Sequence, residues 1–279
     1  MPGRVVGRFL ARAAIDQAEG LRRMFAADAA HMVALLGDDG QDISAALAVA
    51  LAGQGKKVLL LDEQLCVGEP HPLLAALVCH DIGAALRNEK SLQEIVLPVA
   101  GITLLPAGVT GVTHAATSAR IHLLTAFHAL AGMFDVVLIH VAPVAQRRGF
   151  GFALAAPEVI VLCSGSSSGI TTTYGHIKMM ASAAGGRHFH LMFRGVDDFL
   201  AKILFRNLAG VCRQHLKLMP DFAGVLPMER LDAADALEVL AADMANWPLS
   251  ERDDSRFEAF MRRLLNATGS RRPTVATEH

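Results

Sequence analysis

The residues with the clearest chemical potential lie in the segment GDDGQDIS, residues 37–44, between a short apolar run and an Ala- and Leu-rich segment. A buried strand, a glycine-containing loop and the start of a helix are typical of a phosphate-binding site, because free backbone N–H groups and the helix dipole attract an anion. Gly37, Gly40 and Ser44 are therefore the candidate nucleotide-binding residues.

The charge of this loop argues against phosphate. A P-loop carries a lysine after its second glycine, whereas GDDGQDIS has no lysine and contains Asp38, Asp39 and Asp42. One carboxylate about 4 Å from a phosphate charge costs roughly 4 kcal/mol at an effective dielectric constant of about 20, on the order of a thousandfold in affinity. We interpret the segment as a degenerate nucleotide site and expect no cofactor, with ATP and Mg²⁺ as its ligands only if it still functions.

Two more candidates end apolar runs, where open α/β sheets usually bind ligands. Asp62 follows VLLL and is the candidate catalytic acid, although we favour a helix-capping or loop-fixing role for it. His140 follows FDVVLI, at the point where a P-loop fold has an aspartate that holds Mg²⁺ through water. Neutral imidazole is a poor ligand for magnesium, which prefers oxygen donors.

Other polar groups offer weaker chemistry. The chain has 12 histidines, of which His188 and His190 share one side of a predicted strand, but no third ligand lies at motif spacing. We favour a solvated or core pair over zinc and predict no metal site. The loop SGSSSG, residues 164–169, has backbone amides that can bind phosphate, and we favour a simple strand-to-helix connection.

Apolar runs alternate with helical segments along the chain. The runs are nearly continuous rather than alternating, which predicts a three-layer α/β fold whose mostly parallel, twisted sheet is covered on both faces. A loop containing Gly68, Pro70 and Pro72 is expected to lead into a short helix before residue 80. The predicted strands are 33–36, 58–61, 101–106, 134–139, 159–163, 189–193 and 222–226, and the main helices are 44–52, 81–86, 91–97, 119–131, 171–183 and 202–215.

Composition limits the class of protein. With 279 residues, 52% apolar and 19% charged, the chain can bury one large α/β core. Its net charge of −1 removes the case for bulk electrostatic binding to nucleic acid. No apolar run reaches the roughly 18 residues that indicate a membrane-spanning helix. Cys66, Cys79, Cys163 and Cys212 lack ligand spacing and are expected to be reduced and buried in a cytosolic protein.

Amphipathic segments lie at both ends. IDQAEGLRRMF, residues 15–25, either packs on its own domain or forms a detachable partner-binding helix. Near the C-terminus, a basic amphipathic helix either lies in a membrane interface or closes the core. Its apolar face and flanking arginines are Phe257, Phe260, Met261, Leu264, Leu265, Arg256, Arg262 and Arg263.

Together these segments resemble the MinD/ParA-type deviant P-loop ATPases and, within them, the FlhG family (also called FleN or YlxH) of flagellar-number regulators. LAVALAGQGKKVLLLDEQLCVGEPHPLL, SLQEIVLPVAGITLLPAG, PEVIVLCSGSSSGITTTYGHIK and GVLPMERL follow in family order. DQAEGLR, residues 16–22, is the most specific match, because other MinD-like proteins lack it. The chain departs from the family where GDDGQDIS replaces K-G-G-V-G-K-T, His140 replaces the magnesium-site aspartate, and Arg194 replaces an asparagine.

The resemblance implies a regulator of flagellar number or placement that acts on an FlhF-like GTPase. Gln17 is expected to assist the partner's GTP hydrolysis, with Asp16, Leu21 and Arg22 positioning the helix, and Asp62 matches the family's water-orienting aspartate. The C-terminal helix matches a membrane-targeting helix. The implied setting is the cytoplasm and the inner face of the membrane, with flagellar basal-body components and a homodimer as further partners and no direct nucleic acid.

The resemblance also gives a domain plan. It has a partner-binding helix at 1–28, a MinD-like domain at 31–250, the basic helix at 254–267 and a disordered tail at 268–279. We expect a pseudo-ATPase. Two alternatives stay open: an active MinD/ParA-like ATPase in positioning or partitioning, and a MinD-like accessory protein of cellulose or exopolysaccharide secretion.

Overall fold

The computed structural model describes residues 30–37, 40–72, 74–108, 117–141, 152–183, 187–227 and 230–247. Four sets of predicted residues lie outside these ranges. They are the N-terminal segment with Asp16, Gln17, Leu21 and Arg22, the acidic pair Asp38 and Asp39, the C-terminal helix at 254–267, and the tail.

The described residues form eight strands and seven α-helices. The strands are β1 (His31–Leu36), β2 (Val58–Asp62), β3 (Leu97–Val99), β4 (Ile102–Pro106), β5 (Val136–His140), β6 (Glu158–Ser164), β7 (His188–Arg194) and β8 (Asp221–Leu226). The helices are α1 (Gly40–Gly53), α2 (Ile82–Leu86), α3 (Leu92–Ile95), α4 (Thr117–Ala131), α5 (Ser167–Ala183), α6 (Asp198–Leu216) and α7 (Arg230–Asn246). A 3₁₀ helix spans Phe152–Ala155.

The strands form one sheet in the order β3-β4-β2-β5-β1-β6-β7-β8. Every neighbouring pair is parallel except β3 with β4. All residues of β2 and β5 are buried, as the continuous apolar runs indicate for strands covered on both faces. The predicted fold class, a mostly parallel α/β sheet, is confirmed.

Two apolar cores lie on opposite faces of the sheet. Helices α2 to α6 contribute to one core and helices α1 and α7 to the other. This arrangement gives the three layers that the sequence predicts. Within the described ranges, every helix is too short or too polar to cross a lipid bilayer.

A capping box stabilises the start of α3, because the Glu94 carboxylate accepts from the Ser91 backbone N–H and hydroxyl, both at 2.9 Å. The predicted short helix before residue 80 is wrong. Pro70 and Leu77 instead form an isolated antiparallel bridge, and the His71 N–H donates to the Ala76 carbonyl at 2.9 Å. The chain folds back on itself here because the glycine and prolines at its start disfavour helical hydrogen bonding.

Candidate functional site

The carboxyl ends of the central strands bring Asp62 and His140 together. Strand β5 lies between β1 and β2, and Asp62 pairs directly with His140 in the register of β2 and β5. Because parallel strands end at the same edge of a sheet, both residues lie beside the loop that follows β1. The structure therefore places the two predicted strand-end residues in one site.

Asp62 and His140 form a buried hydrogen-bonded pair. His140 Nδ1 lies 2.9 Å from Asp62 Oδ1, and the His140 and Asp62 side chains are 2% and 0% exposed. The backbone N–H groups of Gln64 and Leu65 donate to the same oxygen at 2.8 and 3.2 Å. The Asp62 carboxylate thus holds the turn that follows β2, which is the geometry of the loop-fixing acid that we favoured.

A second imidazole, His71, reaches Asp62 from the loop between β2 and α2. Its Nε2 lies 3.6 Å from Asp62 Oδ2, and both side chains are fully buried. Its Nδ1 accepts the Leu74 N–H at 3.2 Å, so the proton of the neutral ring is on Nε2, facing the carboxylate. Sequence analysis missed His71, whose only signal is its position soon after Asp62 in GEPHP.

Burial keeps His71 neutral. Desolvation lowers its pKa below the ordinary value of 6.5, and the nearby His140 lowers it further, while the charges of Asp62 and Asp42 oppose the shift. Asp42 lies in the first turn of α1. Its carboxylate therefore contributes to the field at His71 from the helix side of the site.

Glu63 joins the site to the 3₁₀ helix. Its N–H donates to the His140 carbonyl at 3.1 Å, and its Oε1 accepts the Ala153 N–H at 3.1 Å. Glu63 is 7% exposed and Phe152 is 1% exposed. Phe152 packs on Phe127 with ring centroids 4.8 Å apart, which anchors this side of the site in the core.

The three candidate nucleotide-binding residues surround the start of α1. Gly37 has φ +148°, and a Cβ there would lie 2.7 Å from Leu162 Cβ and 3.1 Å from its carbonyl oxygen. Packing against β6 is therefore enough to require glycine at this position. Gly40 begins α1, and Ser44 is fully buried.

The SGSSSG loop caps α5. The hydroxyl of Ser166 lies 3.0 Å from that of Ser164 and 3.2 Å from that of Ser168, and accepts the Gly169 N–H at 3.1 Å. The helix begins at Ser167, four residues before the predicted start, because the hydroxyl satisfies a free N–H group of the first turn.

The two strand histidines have different surroundings. His188 is exposed, whereas His190 is buried, bonded to Glu158 Oε2 at 2.8 Å and stacked on Trp247 at 3.7 Å. His190 is thus a core histidine. Among the described residues, no cluster of three histidine, cysteine or acidic side chains is arranged to hold a metal ion.

All four cysteines are free thiols, but the prediction that they are buried holds for only two. Cys163 and Cys212 are buried, and desolvation raises the pKa of both thiols. Cys66 is partly exposed and Cys79 is exposed. Cys79 follows the Pro70–Leu77 bridge, in the loop where the predicted helix is replaced by a surface turn.

The chain is similar in sequence to the antiactivator FleN of Pseudomonas aeruginosa. The two are 24% identical over 278 residues, which cover 90% of this chain and 99% of the relative. No family model matches the chain. The predicted resemblance to FleN is confirmed by this similarity.

Solved structures share the fold. Cobyrinic acid a,c-diamide synthase from Mycobacterium smegmatis, with bound ADP and magnesium, gives a TM-score of 0.56 at 20% identity over 80% of this chain and 97% of that chain. The MinD cell division protein of Aquifex aeolicus gives a TM-score of 0.51 at 18% identity over 88% of this chain and 99% of that chain. A plasmid partition protein from Borrelia burgdorferi gives a TM-score of 0.53 at 15% identity over 78% of this chain and 98% of that chain. The protein therefore has the α/β fold of MinD-type P-loop proteins and is a relative, in sequence, of the antiactivator FleN.

Proposed function

We propose that the protein regulates the number or placement of flagella as a MinD/ParA-type protein that has lost ATPase activity. The observation that carries the second half of this proposal is the buried Asp62–His140 pair at the carboxyl edge of the sheet. The first half is supported by the similarity to FleN along nearly the whole chain.

The residues of this edge do not fit ATP with Mg²⁺. A magnesium site needs oxygen donors, but His140 presents a nitrogen, and the Asp62 carboxylate is hydrogen-bonded to it and to two backbone N–H groups. Breaking a buried pair of this kind costs about 3–5 kcal/mol. The first turn of α1 also carries Asp42, whose charge opposes a phosphate there.

A regulator without a working nucleotide site can still act by binding a protein partner. We propose that residues 1–28 engage an FlhF-like GTPase, with Asp16, Leu21 and Arg22 positioning the helix and Gln17 assisting GTP hydrolysis. The support is the DQAEGLR motif, which lies ahead of the α/β domain. The similarity to an antiactivator fits the same idea of control by binding.

The second contact that we propose is with lipid. The C-terminal segment has an apolar set, Phe257, Phe260, Met261, Leu264 and Leu265, flanked by Arg262 and Arg263. Such a segment can bind the anionic inner face of the membrane. The protein then works in the cytoplasm with peripheral membrane contact, near flagellar basal-body components.

The test is the GTP hydrolysis rate of an FlhF-like GTPase with the full-length protein added. The wild type should stimulate the rate, and Gln17→Ala should abolish the stimulation. Gln214→Ala, an exposed glutamine on α6, is the matched control and should behave as wild type. In cells that lack the protein, the wild type and the control should restore the flagellar number, whereas Gln17→Ala should not. Absence of stimulation by the wild type would refute the proposed partner.

The active-ATPase alternative keeps one supporting observation. The fold is shared with a synthase whose structure contains ADP and magnesium, and the chain keeps Ser44 near the start of α1 and Asp62 at the carboxyl end of β2. Direct titration with nucleotide distinguishes this alternative from the pseudo-ATPase.

A further inference from the structure

We propose that the protein forms a symmetric homodimer, without nucleotide, through the two helices that flank strand β8. This contact lies at the side edge of the sheet. It does not involve the carboxyl edge that holds Asp62, and it does not depend on the proposed flagellar function.

Helices α6 and α7 cover opposite faces of the sheet at its last strand. Strand β8 ends the strand order, next to β7. Ala201, Leu208 and Cys212 of α6 belong to one apolar core, whereas Leu237 and Met244 of α7 belong to the other. The outer faces of both helices therefore lie beside the same free edge.

The outer face of α6 is basic. Lys202, Arg206 and Arg213 are all exposed and are spaced by four and seven residues, so they share one side of the helix. Phe199 lies on the same side and is 75% exposed. The only acid within α6 is Asp198, which pairs with Lys202 at 2.6 Å.

The outer face of α7 is acidic. Asp235, Glu238 and Asp243 are exposed, and Val239 beside them is 62% exposed. After Arg230 at the start of the helix, every charged residue of α7 is an acid. The net charge of the chain is −1, so positive and negative charges nearly balance overall. Beside β8, however, the positive charges lie on α6 at one face of the sheet and the negative charges lie on α7 at the other.

The strand edge itself is unsuited to strand addition. The pairing of β7 with β8 shifts between Leu191 and Met192, and Gly224 has φ +120°. A bulge of this kind disrupts the row of backbone groups that another strand needs. We therefore assign the contact to the helices.

Symmetry makes the patch self-complementary. A two-fold axis parallel to β8 exchanges the two faces of the sheet, so it places α6 of each copy against α7 of the other. In both contacts the basic face of α6 then lies against the acidic face of α7, and Phe199 and Val239 contribute apolar surface. An axis perpendicular to the sheet would place α6 against α6, where like charges repel.

The test uses charge reversal on the full-length protein without nucleotide. One variant carries Lys202→Glu and Arg206→Glu, and the other carries Asp235→Lys and Glu238→Lys. Sedimentation velocity at low salt should give the wild type twice the mass of one 29.7 kDa chain. Each variant alone should be monomeric, because its α6 and α7 carry the same charge.

An equal mixture of the two variants should form a heterodimer, since both of its contacts again pair opposite charges. A control with Arg87→Glu and Lys178→Glu, at exposed sites away from α7 and from the outer face of α6, should dimerise as wild type. Raising the salt concentration should weaken the wild-type dimer roughly tenfold, because screening acts on exposed charges. Circular dichroism confirms that each variant is folded.

Three results would overturn the proposal: a wild type that stays monomeric at about 100 µM, reversal variants that dimerise as wild type, or folded variants whose mixture fails to associate.

Discussion

Two buried carboxylate–imidazole pairs lie at opposite ends of the sheet, and their surroundings differ. Asp62 and His140 meet where β2 and β5 end, at 2.9 Å. Glu158 and His190 meet near the starts of β6 and β7, at 2.8 Å. The lengths of the two hydrogen bonds are nearly equal, so the bond alone does not distinguish a functional site from a structural contact.

The difference lies in what each pair organises. Asp62 Oδ1 accepts two backbone N–H groups besides His140 and lies near His71, so the pair holds a loop at the edge where this kind of fold binds ligands. At the other end, His190 stacks on Trp247, which follows α7. The second pair thus positions His190 to hold the C-terminal end of α7 against the sheet. Only the first pair lies at the carboxyl edge of the sheet, where folds of this kind bind ligands, so only the first pair is a candidate functional site.

The largest expected effect is the loss of stability when the carboxylate of either pair is removed by substitution with alanine. Asp62→Ala removes the acceptor of three donors in a fully buried site and should lower the free energy of unfolding by about 3–5 kcal/mol. Glu158→Ala, the matched change, leaves His190 stacked on Trp247 and should lower it by about 1–3 kcal/mol. Urea denaturation measures both. Equal losses would show that the two pairs do the same structural work.

The second prediction concerns the loop beside the first pair. Gly37→Ala should lower the free energy of unfolding by roughly 2–3 kcal/mol, because the backbone has φ +148° and the new Cβ meets β6. Gly53→Ala at the end of α1 is the control. A Cβ there has no atom within 4 Å, so its effect should stay within about 1 kcal/mol. A tolerated Gly37→Ala would contradict the packing explanation of this glycine.

The smallest expected effect is a change in how stability depends on pH, and it comes from His71, the neighbour of the first pair. The pKa of His71 is lowered in the folded protein by burial, so only the unfolded chain takes up its proton as the pH falls below 6.5. The contribution of His71 is fully present above that pH and is lost towards pH 5. His71→Gln should therefore lose less stability than wild type between pH 7 and pH 5.5, by about 1 kcal/mol.

His122→Gln, at an exposed position on α4, is the control for this change and should follow the wild-type curve. Thermal unfolding at several pH values gives the comparison. Parallel curves for wild type and His71→Gln would contradict the buried, neutral state of His71.

The sequence predicts the parts of the site that follow from strand patterns. Asp62 and His140 each end an apolar run, which predicts their place at the edge of a parallel sheet. The sequence does not predict that they touch. Residues 78 apart meet here because β5 pairs directly with β2, and this neighbour relation is a property of the whole sheet.

Loops and the outermost helix account for most of what the sequence analysis missed. His71 reaches the site because its loop turns back at the Pro70–Leu77 bridge, and no periodic pattern marks that turn. The predicted helices do not include α7, although Leu237, Leu240 and Met244 repeat at helical spacing. The short strand β3, with a proline in its middle, has too few residues to show a pattern.

The most direct test of the central claim is calorimetric titration of ATP and Mg²⁺ into the purified full-length protein, with a MinD protein as the positive control. The Asp62–His140 pair, the acidic start of α1 and the missing lysine predict no binding heat up to millimolar nucleotide. Binding in the micromolar range would contradict the account. It would show that the buried pair opens for the nucleotide and that another residue replaces the lysine.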